Sequence, residues 1–211
     1  MNKQASALPA VNCSLAGVKF LFDIEVGPHE SATDHLHWPG GMSGVTLGPG
    51  YDMRERSGPQ IIHELVSAGI SRDAAKVIAA ASGLRHVKAS EFVKNNSEVV
   101  KLTHTQQLRL LHTILPHYEH IVRSNVRVPL KQHEFDALVS FAYNPAGHFS
   151  AIAQLINDGK KSLAMHHLLA RLGTGSRHLL LIRRKHEVNL FTHGTYDFYH
   201  HRHHVRHLHH H

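Results

Sequence analysis

Three polar residues stand in settings that suit hydrolysis. Glu25 ends the run Phe20-Leu21-Phe22-Asp23-Ile24-Glu25. In a helix, Leu21 and Phe22 lie behind it on the same side. Apolar neighbours disfavour a charged carboxylate, as a general acid at neutral pH requires. Thr46 lies in Ser43-Gly44-Val45-Thr46-Leu47-Gly48-Pro49-Gly50. Glycines on both sides let a ligand approach the backbone, and a threonine hydroxyl there can hold a water or a sugar hydroxyl. Asp52, in Gly50-Tyr51-Asp52, follows closely enough for a hairpin to bring it beside Thr46. A second carboxylate is what glycoside hydrolysis needs: one acid for the leaving oxygen, one group to activate or stabilise. Each residue also has a plain reading. Glu25 can be an exposed helix-end glutamate, Thr46 a strand residue between turn glycines, and Asp52 a cap for the segment that follows. Asp34, in the polar stretch after Glu25, competes for the role of second carboxylate.

The elements that would position these groups follow from periodicity. Val18, Phe22 and Val26 stand four apart, so residues 15–27 predict a short helix ending near Gly27-Pro28. Residues 28–60 are dense in glycine and proline, which means turns and short strands. Val45-Thr46-Leu47 is one such strand, with Thr46 on the face opposite its neighbours. Helical spacing then takes over. Ile61, Leu65, Val66 and Ile70 mark one helix, and Ser71 caps a second carrying Ala75, Ile78 and Ala79. Thr103 with Gln106 matches a capping box ahead of Leu108, Leu111, Ile114 and Leu115. Phe135, Leu138, Val139 and Ala142 read as a core-facing helix that stops at Asn144-Pro145-Ala146-Gly147. Further helices are expected around 150–157, 161–172 and 176–192. The fold class is α+β: a small turn-rich lobe with a β-hairpin and little core, a larger helical lobe with most of it, and a cleft between. Residues 1–14 are expected to be flexible and 15–198 to form the domain.

Composition narrows the field. Hydrophobic residues make up 42% of 211, enough for a core, and charged residues only 18%, which argues against a coiled coil. A single cysteine, Cys13, excludes an internal disulfide. It lies near a loose N-terminus with no local signature, so a thiol hydrolase is not expected. No run of roughly 20 apolar residues exists to span a bilayer, and no classical signal peptide is expected, since Pro9, Asn12 and Ser14 interrupt the apolar run after Lys3. The net charge is +7, falling to +5 without Arg202 and Arg206 of the tail, so the body itself is basic and favours an anionic partner. Eight of 24 histidines fall within His200–His211, a tail at 199–211 that reads as a tag-like or disordered appendage, with a native metal-binding or polyanion-binding tail as the alternative. The remaining histidines, including His35 and His37 around Leu36, form no recognisable zinc pattern and read as solvated. Arg183-Arg184-Lys185 is the densest basic cluster, reads as a solvated helix face, and lacks the aromatic interleaving of a nucleic-acid binder.

The strings Trp38-Pro39-Gly40-Gly41, Ser43-Gly44-Val45-Thr46-Leu47-Gly48 and Gly50-Tyr51-Asp52 together resemble the pesticin-like branch of the phage-type lysozymes. Members include bacteriocin activity domains and lysozyme effectors of type VI secretion. Phe135–Asn144 is similar to that family's central helix and its following asparagine. Arg183-Arg184 with Glu187, then Leu190-Phe191 and Gly194, is similar to its C-terminal double-arginine helix. The three blocks occur in family order over roughly residues 18–198.

The resemblance implies a lysozyme-like fold and an N-acetylmuramidase that cleaves the β-1,4 bond between N-acetylmuramic acid and N-acetylglucosamine. Glu25, Thr46 and Asp52 fall on its catalytic positions. Gly48, Gly50, Tyr51 and Asn144 are the expected substrate-binding residues. No metal and no organic cofactor is implied. The commoner phage arrangement would select Asp34, but the long gap from Glu25 to Thr46 favours the pesticin-like assignment and Asp52. Expected partners are bacterial peptidoglycan and a dedicated immunity protein, with a monomeric, bacteriolytic, antimicrobial toxin acting in the periplasm or wall of a target cell. Delivery without a classical signal peptide, no nucleic acid and no stable membrane insertion complete the expectation. Two other classes compete: a non-catalytic peptidoglycan-binding module of the same fold, and a basic nucleic-acid binder.

Overall fold

The computed structural model describes residues 8–144, 148–170 and 178–197. The histidine-rich tail and the Pro145–Gly147 part of the expected helix stop lie outside the described residues. The elements run α1 (Leu15–Glu25), a 3-10 turn (Gly27–Ala32), β1 (Thr46–Leu47), β2 (Tyr51–Asp52), α2 (Gly58–Ser67), α3 (Arg72–Ile78), a second 3-10 turn (Ala79–Ala81), α4 (His86–Asn95), α5 (His104–Asn125), α6 (Gln132–Tyr143), α7 (Phe149–Asn157), α8 (Lys161–Ala170) and α9 (His178–His193). They divide into two compact units, Glu25–Pro116 and Met1–Ile24 with His117–His211.

The first of these, the hairpin unit, starts where α1 ends. Gly27 takes a positive φ of 50°, which stops the helix where a side chain would be strained. The turn-rich segment that follows is sewn down by polar contacts. Gln107, fully buried on α5, donates to the Glu30 carbonyl and accepts from the Thr33 hydroxyl at 2.7 Å. The Leu102 N–H donates to the Asp34 carbonyl at 2.6 Å. β1 and β2 pair antiparallel, with Thr46 opposite Asp52 and Leu47 opposite Tyr51, and His37 bridges the other edge of Thr46. Ser57 and Ser71 accept from the N–H groups of Gln60 and Ala74, capping α2 and α3, which pack on each other. Thr103 and Gln106 bond reciprocally, the capping box their spacing predicts.

This unit carries more core than its glycine content suggests. Leu36, Val45, Leu47, Tyr51 and Met53 are all buried. The expectation of a lobe with little core is therefore corrected: strands this short still present one apolar face, because side chains alternate along them. Helix α4 was not expected either. Ala89 is its one buried residue, so no apolar stripe announces it.

The second unit, the helical unit, is organised around α6, whose residues from Glu134 to Ala142 are buried and which packs against α9. Asp136, 1% exposed, accepts from the Ser14 amide (3.0 Å), the Ser14 hydroxyl (2.5 Å), Gln132 Nε2 (2.9 Å) and the Tyr196 hydroxyl (2.6 Å). The Ser14 hydroxyl also accepts from the Gly17 amide and so caps α1. Ala10 and Cys13 donate main-chain bonds to the Leu130 carbonyl and the Glu119 carboxylate. Residues 10–14, expected to be loose, are thus fastened by hydrogen bonds.

Candidate active site

The pleat of the hairpin sorts its side chains by parity. Leu36, Val45, Leu47, Tyr51 and Met53 go to the core face. His35, His37, Thr46 and Asp52 take the other, where His37 and Asp52 are half-buried and Thr46 is 3% exposed. The Met53 N–H donates to the Val45 carbonyl, and both main-chain groups of Thr46 bond to His37. Thr46 and Asp52 therefore form a non-hydrogen-bonded pair, the register site at which opposed side chains come closest.

Gly44 ties the pair together. Its N–H donates to Asp52 Oδ1 and Oδ2 at 3.1 and 3.2 Å, and its carbonyl accepts from Thr46 Oγ1 at 3.1 Å. A Cβ on residue 44 would stand 2.7 Å from both Asp52 Oδ1 and the Arg54 nitrogen. Only glycine lets the carboxylate sit where it does. Asp52 Oδ1 also accepts the Arg54 N–H at 2.8 Å, closing a turn over the end of β2. Glu25, half-buried, is the last residue of α1 and the first of this unit.

Asp34 lies off this row. Its carboxylate pairs with His35 Nδ1 at 2.8 Å. Tyr51, expected to touch substrate, is corrected: it is fully buried and donates its hydroxyl to Glu64 Oε1 at 3.1 Å, beneath the Arg56 guanidinium. Alternation puts it on the core face with Leu47. Gly48 has φ +62°, and a Cβ there would point at Leu110 Cδ1, 3.1 Å away, so the glycine lets the chain pack closely against α5. Gly50 is a second positive-φ position, at 131°, in the turn between the strands. Asn144 ends α6 in the helical unit, with an exposed side chain and a carbonyl that accepts from Arg184.

His37 is the neighbour sequence reasoning passed over. The sequence offers it only as a candidate metal ligand, although the alternation His35-Leu36-His37 with a buried Leu36 places both rings on the Thr46 face. Burial pushes the His37 imidazole below its ordinary range. Among the described residues no three metal-ligating side chains gather, and no helix is long and apolar enough to cross a membrane. Burial, reinforced by Asp136 and Glu119, pushes the Cys13 thiol far up, away from the thiolate form that a nucleophile needs.

Arg183 and Arg184, read from the sequence as a solvated face, are buried instead. They pair with the buried Glu187, which also accepts the Ser140 hydroxyl at 2.5 Å. Of the three basic residues only Lys185 is exposed, so the cluster forms no surface patch.

A family model described as "Domain of unknown function (DUF8812)" matches residues 22–144, more than half of the chain. The chain belongs to the DUF8812 family. No curated protein matches it in sequence. Solved structures do match this DUF8812 chain. An endolysin from Escherichia coli O157:H7 phage FAHEc1 is 17% identical, with a TM-score of 0.56 over 88% of this chain and 96% of that one. A P22 lysozyme mutant is 20% identical, with a TM-score of 0.54 over 85% and 97%. The muramidase domain of SpmX from Asticaccaulis excentricus is 20% identical, with a TM-score of 0.55 over 86% and 97%. The fold is the lysozyme-like α+β fold.

Proposed function

We propose that this chain is a peptidoglycan hydrolase, an N-acetylmuramidase of the pesticin-like branch. The observation that carries the reading is the register of the hairpin, Thr46 opposite Asp52, in the unit that Glu25 opens. The lysozyme-like fold supports it. Glu25 donates its proton to the glycosidic oxygen. Thr46 and Asp52 position a water on the far face of the sugar, and the bond breaks by single displacement with inversion. Asp52 is preferred to Asp34 because it shares the Thr46 row. The substrate is bacterial peptidoglycan in the wall or periplasm of a target cell, the protein acts as a bacteriolytic monomer, and an immunity protein guards kin.

The test is release of reducing ends from purified peptidoglycan, with mass analysis of the muropeptides. Glu25→Gln and Asp52→Asn are expected to lose turnover by about 10²–10⁴-fold with unchanged thermal unfolding. A folded Glu25→Gln protein of full activity would remove the mechanism.

One observation favours a second reading. The Asp52 carboxylate already accepts the Gly44 and Arg54 amides, as a purely structural aspartate would. A non-catalytic wall-binding module would sediment with sacculi and release no soluble muropeptides.

A further inference from the structure

The row that contains Thr46 and Asp52 is longer by one residue. His37 and Thr46 exchange both main-chain bonds, the His37 N–H to the Thr46 carbonyl at 2.9 Å and the reverse at 2.8 Å. Directly opposed residues on neighbouring strands project from one face. His37, Thr46 and Asp52 therefore stand side by side across three chain segments.

The hydrogen bonds assign what each can offer. The Thr46 hydroxyl spends its proton on the Gly44 carbonyl, so only its lone pairs face a water. The Asp52 carboxylate is engaged by two main-chain amides. His37 Nδ1 lies 2.9 Å from the His35 carbonyl, which can only accept, so Nδ1 carries the hydrogen and Nε2 presents a lone pair. Among the described residues Nε2 has no hydrogen-bond partner.

Resting on the muramidase reading, we propose that His37 Nε2 is the base that takes the proton from the attacking water. Thr46 Oγ1 accepts the other hydrogen of that water and aligns it. Asp52, across Thr46 from His37, holds the same water from the other end of the row. In the step, the water oxygen bonds to the anomeric carbon, and the bond from that carbon to the glycosidic oxygen breaks with its electron pair going to oxygen. The Glu25 proton joins that oxygen, and one water proton goes to Nε2. Solvent then returns a proton from His37 to Glu25, restoring both groups. Burial lowers the His37 pKa, which favours the neutral form that a base needs. The titratable groups around it are His35, ring edge-on at 6.5 Å and itself paired with Asp34, and Asp52 beyond Thr46.

The test compares peptidoglycan turnover by wild type, His37→Ala, His37→Gln and Asp52→Ala, with and without sodium azide. His37→Ala and His37→Gln are expected to lose kcat by about 10²–10⁴-fold with little change in KM. Azide attacks without losing a proton, so it restores His37→Ala, yielding a glycosyl azide of inverted configuration, and does not restore Asp52→Ala. In wild type, activity falls as pH drops below the ordinary imidazole range, and the residual activity of His37→Gln lacks that limb. Wild-type kcat in a folded His37→Gln, or azide rescue confined to Asp52→Ala, overturns the assignment. If Glu25→Gln stays active, the muramidase reading itself fails. If Glu25→Gln is inactive while His37→Gln is fully active, only the role of His37 falls. Thermal unfolding of each variant separates loss of fold from loss of chemistry.

Discussion

Asp52 of the hairpin unit and Asp136 and Glu187 of the helical unit are held by different means. Asp52 is fixed by main-chain amides of Gly44 and Arg54, a few residues away in the same hairpin. Asp136 and Glu187 are fixed with the help of side chains from far along the chain, Ser14 and Tyr196 for one and Ser140 for the other, and Glu187 also pairs with two arginines of its own helix. A carboxylate held by its own turn keeps its place through local backbone geometry. One held by distant side chains depends on the whole unit and repays that dependence with stability. The proposed chemistry draws on the locally fixed carboxylate, and the integrity of the helical unit on the remotely fixed ones.

Glu187→Ala should make the largest break in this contrast. It leaves Arg183 and Arg184 charged and buried, a loss of about 3–5 kcal/mol, read by denaturant unfolding. Gly48→Val comes next. A β-branched side chain at φ +62° beside Leu110 should cost about 2–4 kcal/mol, appearing as lost stability and not as a blocked substrate. Gly44→Ala is the sharpest probe of the local arrangement. Its Cβ must displace Asp52 or the Arg54 amide, so turnover should collapse while stability falls by about 1–3 kcal/mol. Activity that survives this change would place Asp52 outside the chemistry. Tyr196→Phe removes one long-range bond to Asp136 and should cost about 1 kcal/mol with turnover unchanged.

The smallest effect is on pH. Burial lowers the His37 pKa on folding, so the unfolded chain binds the proton more readily. The contribution of His37 to stability is present above the ordinary imidazole pKa of 6.5 and is lost as pH falls through the lower folded value. His37→Gln should flatten that part of a melting-temperature profile.

Much of the frame was legible in the chain. Ser71 and the Thr103–Gln106 box start helices as their spacing predicts, because a cap is a contact over three residues. The close return from Thr46 to Asp52 was legible for the same reason. Tyr51 was misread although the signal was present: the alternation that separates Thr46 from Leu47 also sends Tyr51 to the core. Arg183 and Arg184 gave no such signal. A charged pair on a helix reads as solvated until a partner closes over it, and their full setting includes Ser140 and Asn144 on another helix.

The sequence by itself determined the α+β class, the caps, the hairpin and the candidacy of Glu25, Thr46 and Asp52, since each rests on residues within a turn or two of one another. Only the tertiary structure decided that His37 joins the Thr46 row, that Gly48 faces Leu110, and that two arginines lie inside. Those outcomes depend on which distant segments meet, and a linear pattern of polarity carries no record of the partner that desolvates a charge or pairs with a strand edge.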